Sequence, residues 1–99
     1  MVKKRFFKTR DECEVAFELV PSAAAQVALV CEANGWEPIE MKRNRQGTFR
    51  TKLRLPKQRR IRFRYLIDEA TWVNDEAADA YWPNEFGSEN GVLDTTPAT

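Results

Sequence analysis

Histidine is absent from the 99 residues, which removes the side chain most used as a general base and metal ligand near neutral pH. Cysteine occurs only at Cys13 and Cys31, too few for a disulfide scaffold. Both fall on apolar positions of alternating runs, so they read as buried free thiols in a reducing, cytoplasmic compartment. No apolar run approaches the ~20 residues of a membrane helix. Met1–Arg10 also develops no secretory signal core, because Lys8 and Arg10 follow Phe6-Phe7 directly. The four glycines form no phosphate-cradling loop, and no ligand cluster has metal spacing. Asp75 and Glu76 are adjacent carboxylates, but nothing sets them across a cleft as glycosidic chemistry needs. These gaps argue against an enzyme and against any cofactor or metal.

What is present suits one packed domain. Apolar residues make up 42% and aromatics 11%, beyond what a disordered chain carries. The net charge of +1 hides a sorting of sign. Lys42–Arg64 holds eleven cations and no acid, whereas Asp68–Asp94 holds eight acids and no cation. Such asymmetry raises nucleic acid as a partner. The even overall balance, and Glu12, Glu14 and Glu18 on a run that can neighbour the cations, weigh against it.

The chain is organised around Gly47–Asp68. Phe49, Thr51, Leu53 and Leu55 share one face of an extended run, with Arg50, Lys52 and Arg54 on the other. Pro56 stops it, and after Lys57–Arg59 the alternation resumes with Ile61, Phe63, Tyr65 and Ile67 opposed to Arg60, Arg62 and Arg64. The pattern predicts an antiparallel hairpin with one apolar and one cationic face. On that hairpin, Arg64 has a plain structural role open to it, pairing across strands with Glu14 or Glu18.

Upstream, Lys3–Thr9 reads as a short strand, and Cys13–Leu19 as a half-buried strand with an acidic outer face. Pro21-Ser22 breaks it. Ala23–Glu32 fits either a helix or an irregular alanine segment followed by a strand at Gln26–Glu32, and the strand is favoured because the other runs are short strands. Ile39–Lys42 and Trp72-Val73 are further short strands. Tyr81–Asn84 and Phe86–Gly91 read as loops, Val92–Asp94 as a closing strand and residues 95–99 as a frayed tail. About seven short antiparallel strands over residues 1–94 predict a single all-β sandwich.

A set of motifs runs through the chain in order: Asn34-Gly35-Trp36, Met41, Gly47-Thr48-Phe49, Leu55-Pro56, Phe63-Arg64-Tyr65-Leu66-Ile67-Asp68, Trp72, Asp75 and Phe86-Gly87-Ser88-Glu89-Asn90. In order and spacing this pattern resembles the glycogen-binding and isoamylase N-terminal domain family, to which the carbohydrate-binding module of the AMP-activated protein kinase beta subunit belongs. The resemblance implies an immunoglobulin-like early-set sandwich that binds α-1,4-glucan without catalysis. By motif, the implied site is Trp36, Arg64, Trp72, Phe86 and Asn90, with Arg64 where the family carries Lys. A glycogen-metabolising enzyme is an implied partner, and the alternative is an assembly module of the same fold that no longer binds sugar.

Overall fold

The structure, a computed structural model, describes residues 1–21 and 24–97. Its strands are β1 (Val2–Phe6), β2 (Glu12–Leu19), β3 (Val27–Cys31), β4 (Ile39–Glu40), β5 (Lys42–Arg43), β6 (Phe49–Pro56), β7 (Arg60–Ile67), β8 (Thr71–Val73), β9 (Ala80–Pro83) and β10 (Glu89–Asp94). They form two antiparallel sheets. Sheet one runs β1-β2-β6-β5, and sheet two runs β4-β3-β7-β10-β9 with β8 also on β7. The two pack as an immunoglobulin-like β-sandwich with more strands than the seven expected. Among the described residues no helix is long and apolar enough to cross a membrane.

The period-two pattern dictates the core. Cys13, Val15 and Phe17 of β2 and Phe49 and Leu55 of β6 point inward from sheet one. Val27, Leu29 and Cys31 of β3 and Ile61, Phe63 and Tyr65 of β7 meet them from sheet two. Phe17 and Phe63 interlock across the layers, edge to face, at 5.3 Å between ring centroids. Both cysteines are buried and unpaired, and burial raises their pKa values above the ordinary thiol range.

The hairpin expected at Gly47–Asp68 does not form. Its two strands exist, but β6 pairs with β2 and β5, while β7 pairs with β3, β10 and β8. The link Lys57–Arg59 carries the chain from one sheet to the other, with Gln58 left-handed at φ 59°. Two strands that each have one apolar face can share a sheet or face each other across a core, and here they face each other. Thr95, expected in the frayed tail, is instead fully buried and fastens this crossover. Its hydroxyl donates to the Pro56 carbonyl at 2.7 Å and accepts the Arg59 N–H at 2.9 Å.

The crossover also divides the cations. Arg50, Lys52 and Arg54 lie on the outer face of sheet one, and Arg62 and Arg64 on that of sheet two. The single cationic face that raised nucleic acid binding is therefore absent. Arg64 cannot pair with Glu14 or Glu18, which sit in the other sheet beside Lys52 and Arg50.

Two local expectations change as well, and the favoured strand reading within Ala23–Glu32 holds. The strand at Ile39–Lys42 is split at the buried Met41, with β4 joining sheet two and β5 sheet one. Ala23–Glu32 resolves as strand at Val27–Cys31, while the break at Ser22 and the start of the alanine segment at Ala23 lie outside the described residues. The two stretches read as loops at Tyr81–Gly91 largely belong to β9 and β10, which pair around a short turn.

Candidate functional site

The outer face of sheet two is built on β7. Because Val92 stands opposite Arg62 and Gly91 opposite the inward Phe63, Arg62, Arg64 and Asn90 share the outward side. Three connections bring aromatic rings onto it.

The first is the 3-10 turn Glu32–Asn34 after β3. Gly35 and Trp36 then both adopt left-handed backbone, at φ 75° and 67°. That conformation is costly for a tryptophan and is held here by the Trp36 N–H bonding the Cys31 carbonyl at 3.0 Å. It turns the indole toward β7, where the Arg62 guanidinium lies 5.9 Å from the ring centroid. Arg62 is locked from its other side by Glu32, with Nε and Nη2 donating to Oε2 at 3.0 and 2.9 Å. The Arg62 backbone N–H donates to Glu32 Oε1 at 2.8 Å. Burial pushes the Glu32 pKa up, but the hydrogen bonds from Arg62 outweigh it and leave the carboxyl below its ordinary value.

The second connection is the turn from β7 to β8. Asp68 and Glu69 are both left-handed, and the Asp68 carboxylate caps the neighbouring chain by accepting the Ala25 and Gln26 N–H groups, each at 2.9 Å. β8 then sets Trp72 opposite Leu66, with the Arg64 guanidinium 5.7 Å from the Trp72 centroid.

The third is the β9–β10 turn, organised by one carboxamide. Asn84 Oδ1 accepts the N–H groups of Phe86 and Ser88 at 2.9 and 3.2 Å. Its Nδ2 reaches Ser88 Oγ at 2.9 Å and Asn90 Oδ1 at 3.4 Å. This turn leaves Phe86 85% exposed at its tip.

All five residues anticipated from the sequence, Trp36, Arg64, Trp72, Phe86 and Asn90, line one concavity of about 850 Å³. Both indoles are open, Trp36 to 39% and Trp72 to 47%. Asn90, expected in a loop, lies instead on β10. It is only 8% exposed, so it forms part of the floor. Sequence reasoning missed Arg62, Asn84 and Ser88, which also line it, together with Pro83 at the end of β9 and Glu85 in the turn after it. Asn84, three residues before Gly87, carried a turn signal, but nothing marked Arg62 from Arg60. Trp82 stands opposite Asn90 on β9 and does not line the concavity.

Charge in the concavity is uneven. Arg62 is met by Glu32, whereas Arg64 has no carboxylate partner among the described residues and donates only to Ser88 Oγ, at 3.3 Å. Arg64 Nε is buried without an acceptor. The arrangement offers two flat apolar surfaces, donors from a guanidinium, and amide and hydroxyl groups at the base. Among the described residues no group of acids and cysteines is placed to hold a metal ion. Asp75 is committed to the fold. It is 2% exposed and accepts the Tyr65 hydroxyl at 2.7 Å, the Ala77 N–H at 2.8 Å and the Met1 ammonium at 2.7 Å.

No protein-family model matches the chain. No curated protein matches it either. Among solved structures it is similar to the enterobactin esterase of Shigella flexneri, crystallised in the presence of 2,3-dihydroxy-N-benzoylserine, with a TM-score of 0.77 at 12% identity. The alignment covers 98% of this chain and 33% of the esterase chain, so this chain spans about a third of that protein's length. At such low identity the likeness shows a shared β-rich fold and nothing of the esterase's chemistry.

Proposed function

We propose that this chain binds α-1,4-glucan, of the glycogen or starch type, without catalysing a reaction on it. The observation that carries this reading is the meeting of Trp36, Trp72, Arg64, Phe86 and Asn90 on one concavity, although they come from separate connections of the sandwich. An α-glucan has an apolar C–H face on each ring and hydroxyls at the rim. Two open indoles suit the faces, and a guanidinium with unused donors suits the rim. Covering two sugar faces removes roughly 200 Å² of apolar area, about 5 kcal/mol before association entropy is subtracted. Even before that subtraction, about 5 kcal/mol corresponds to roughly 0.2 mM, so the dissociation constant is on the order of 1 mM. A glycogen-metabolising enzyme is the natural partner for such a module.

The test is retention on glycogen or amylose compared with cellulose, for the native chain and for Trp36→Ala and Trp72→Ala. Retention on the α-glucans alone, lost in both variants while the thermal transition moves only a few degrees, supports the reading. Failure of the native chain on both α-glucans removes it.

A second reading is an assembly module, favoured by Phe86, whose exposure at the turn tip suits an aromatic anchor for a protein partner. In that case the native chain passes glycogen unretained, and Phe86→Ala weakens association with the partner.

A further inference from the structure

The opposite face of the sandwich holds a grouping that the sugar reading leaves unused. Phe7 follows β1, tied to β2 by its N–H bonding the Glu12 carbonyl at 3.3 Å. Three guanidiniums gather at its ring, Arg5 at 5.7 Å, Arg10 at 5.9 Å and Arg54 at 5.4 Å from the centroid. Lys57 donates its ammonium to the Phe7 carbonyl at the same end.

The local acids do not neutralise them. Arg5 and Arg54 both stand opposite Glu14 in the ladder, on either side of it, yet Glu14 forms its ion pair with Lys52 at 3.8 Å. Among the described residues, none of the three arginines forms an ion pair with a carboxylate. All three are exposed. Like charges collected around one ring without a counter-ion repel one another, and an oxyanion seated among them relieves that repulsion.

The geometry favours a compact anion over a long one. The three cations gather at one ring rather than along the sheet, and Asp11, Glu12 and Glu14 border them, which disfavours an extended polyanion across the sheet. With guanidiniums around it, the Phe7 ring is poorly placed to stack a nucleobase. Planar guanidiniums match the oxygens of a phosphate in forked pairs. We propose that Arg5, Arg10 and Arg54, gathered around Phe7, bind a single phosphate group at a site distinct from the Trp36–Trp72 concavity. The group is met as free phosphate or as a sugar phosphate monoester.

The experiment titrates the isotope-labelled chain with inorganic phosphate, and separately with glucose 6-phosphate, reading the arginine Nε–H resonances. The resonances of Arg5, Arg10 and Arg54 are expected to shift and saturate, with sodium chloride at matched ionic strength leaving them in place. Arg5→Ala and Arg54→Ala each weaken binding about tenfold, one charge-assisted contact apiece, without moving the thermal transition or glucan retention. Tighter binding of glucose 6-phosphate assigns a sugar phosphate as the source, and equal or weaker binding assigns the free ion. Shifts that never saturate, that chloride reproduces, or that survive both substitutions overturn the proposal.

Discussion

The two outer faces of the sandwich handle positive charge differently. On sheet one, β2 supplies acids between cationic strands, so Arg50 and Lys3 meet Glu18 at 3.3 and 3.7 Å and Lys52 meets Glu14. On sheet two the neighbours of β7 bring indoles, and Arg62 and Arg64 lie against Trp36 and Trp72. A surface ion pair is satisfied by water nearly as well as by its partner, so these pairs contribute little to stability. Flat apolar rings held open beside fixed donors are poorly satisfied by water, and that is the condition for taking a ligand. The contrast shows why cation-rich strands alone were a weak guide to function.

The contrast breaks most visibly if the rings go. Trp36→Ala and Trp72→Ala are each expected to weaken glucan binding by about 2 kcal/mol, roughly thirtyfold, as seen by isothermal titration with a linear maltooligosaccharide. Their thermal transitions should stay within a few degrees of the native chain. Removing the acid that holds Arg62 comes next. Glu32→Ala strands the Arg62 backbone N–H and guanidinium and should cost about 1–2 kcal/mol in denaturant unfolding.

The same pair sets a pH dependence. The folded pKa of Glu32 lies below its unfolded value, so its contribution is complete above the unfolded value and is lost as pH falls through the folded one. Asp75 behaves alike, because the Met1 ammonium and Tyr65 hydroxyl outweigh the upward push of burial. Stability should therefore fall on acidification below the ordinary carboxylate range, and Glu32→Gln should flatten part of that fall.

Arg64→Ala sharpens the comparison further, with an expected loss of about 1 kcal/mol in glucan affinity and little change in stability. Glu18→Ala, on the other face, should shift stability by only a few tenths of a kcal/mol and leave glucan binding untouched.

Alternation made β2, β6 and β7 legible, because it states which residues face a core. It does not state which strand lies beside which. Pro56 and the polar link after it suit a hairpin turn and a crossover equally, and Thr95, which decides for the crossover, acts from 36 residues away. The β9–β10 pair was hidden for a different reason. β9 is an edge strand whose Tyr81 and Trp82 are both exposed, so no alternation marks it. Asn90-Gly91 looked like a turn, yet Gly91 lies within a strand. A Cβ there would approach the Phe63 carbonyl oxygen to 3.3 Å, so close packing accounts for the glycine. In the concavity, Trp36, Trp72 and Arg64 were legible from motif order. Arg62 and Ser88 were not, because their place depends on register across the sheet.

The most direct measurement is the response of the three indole N–H resonances to a linear maltooligosaccharide. Trp82, exposed but outside the concavity, serves as the internal reference. The account predicts saturable shifts at Trp36 and Trp72 together, with Trp82 moving least. Unmoved signals at Trp36 and Trp72, or equal movement of all three, would contradict it.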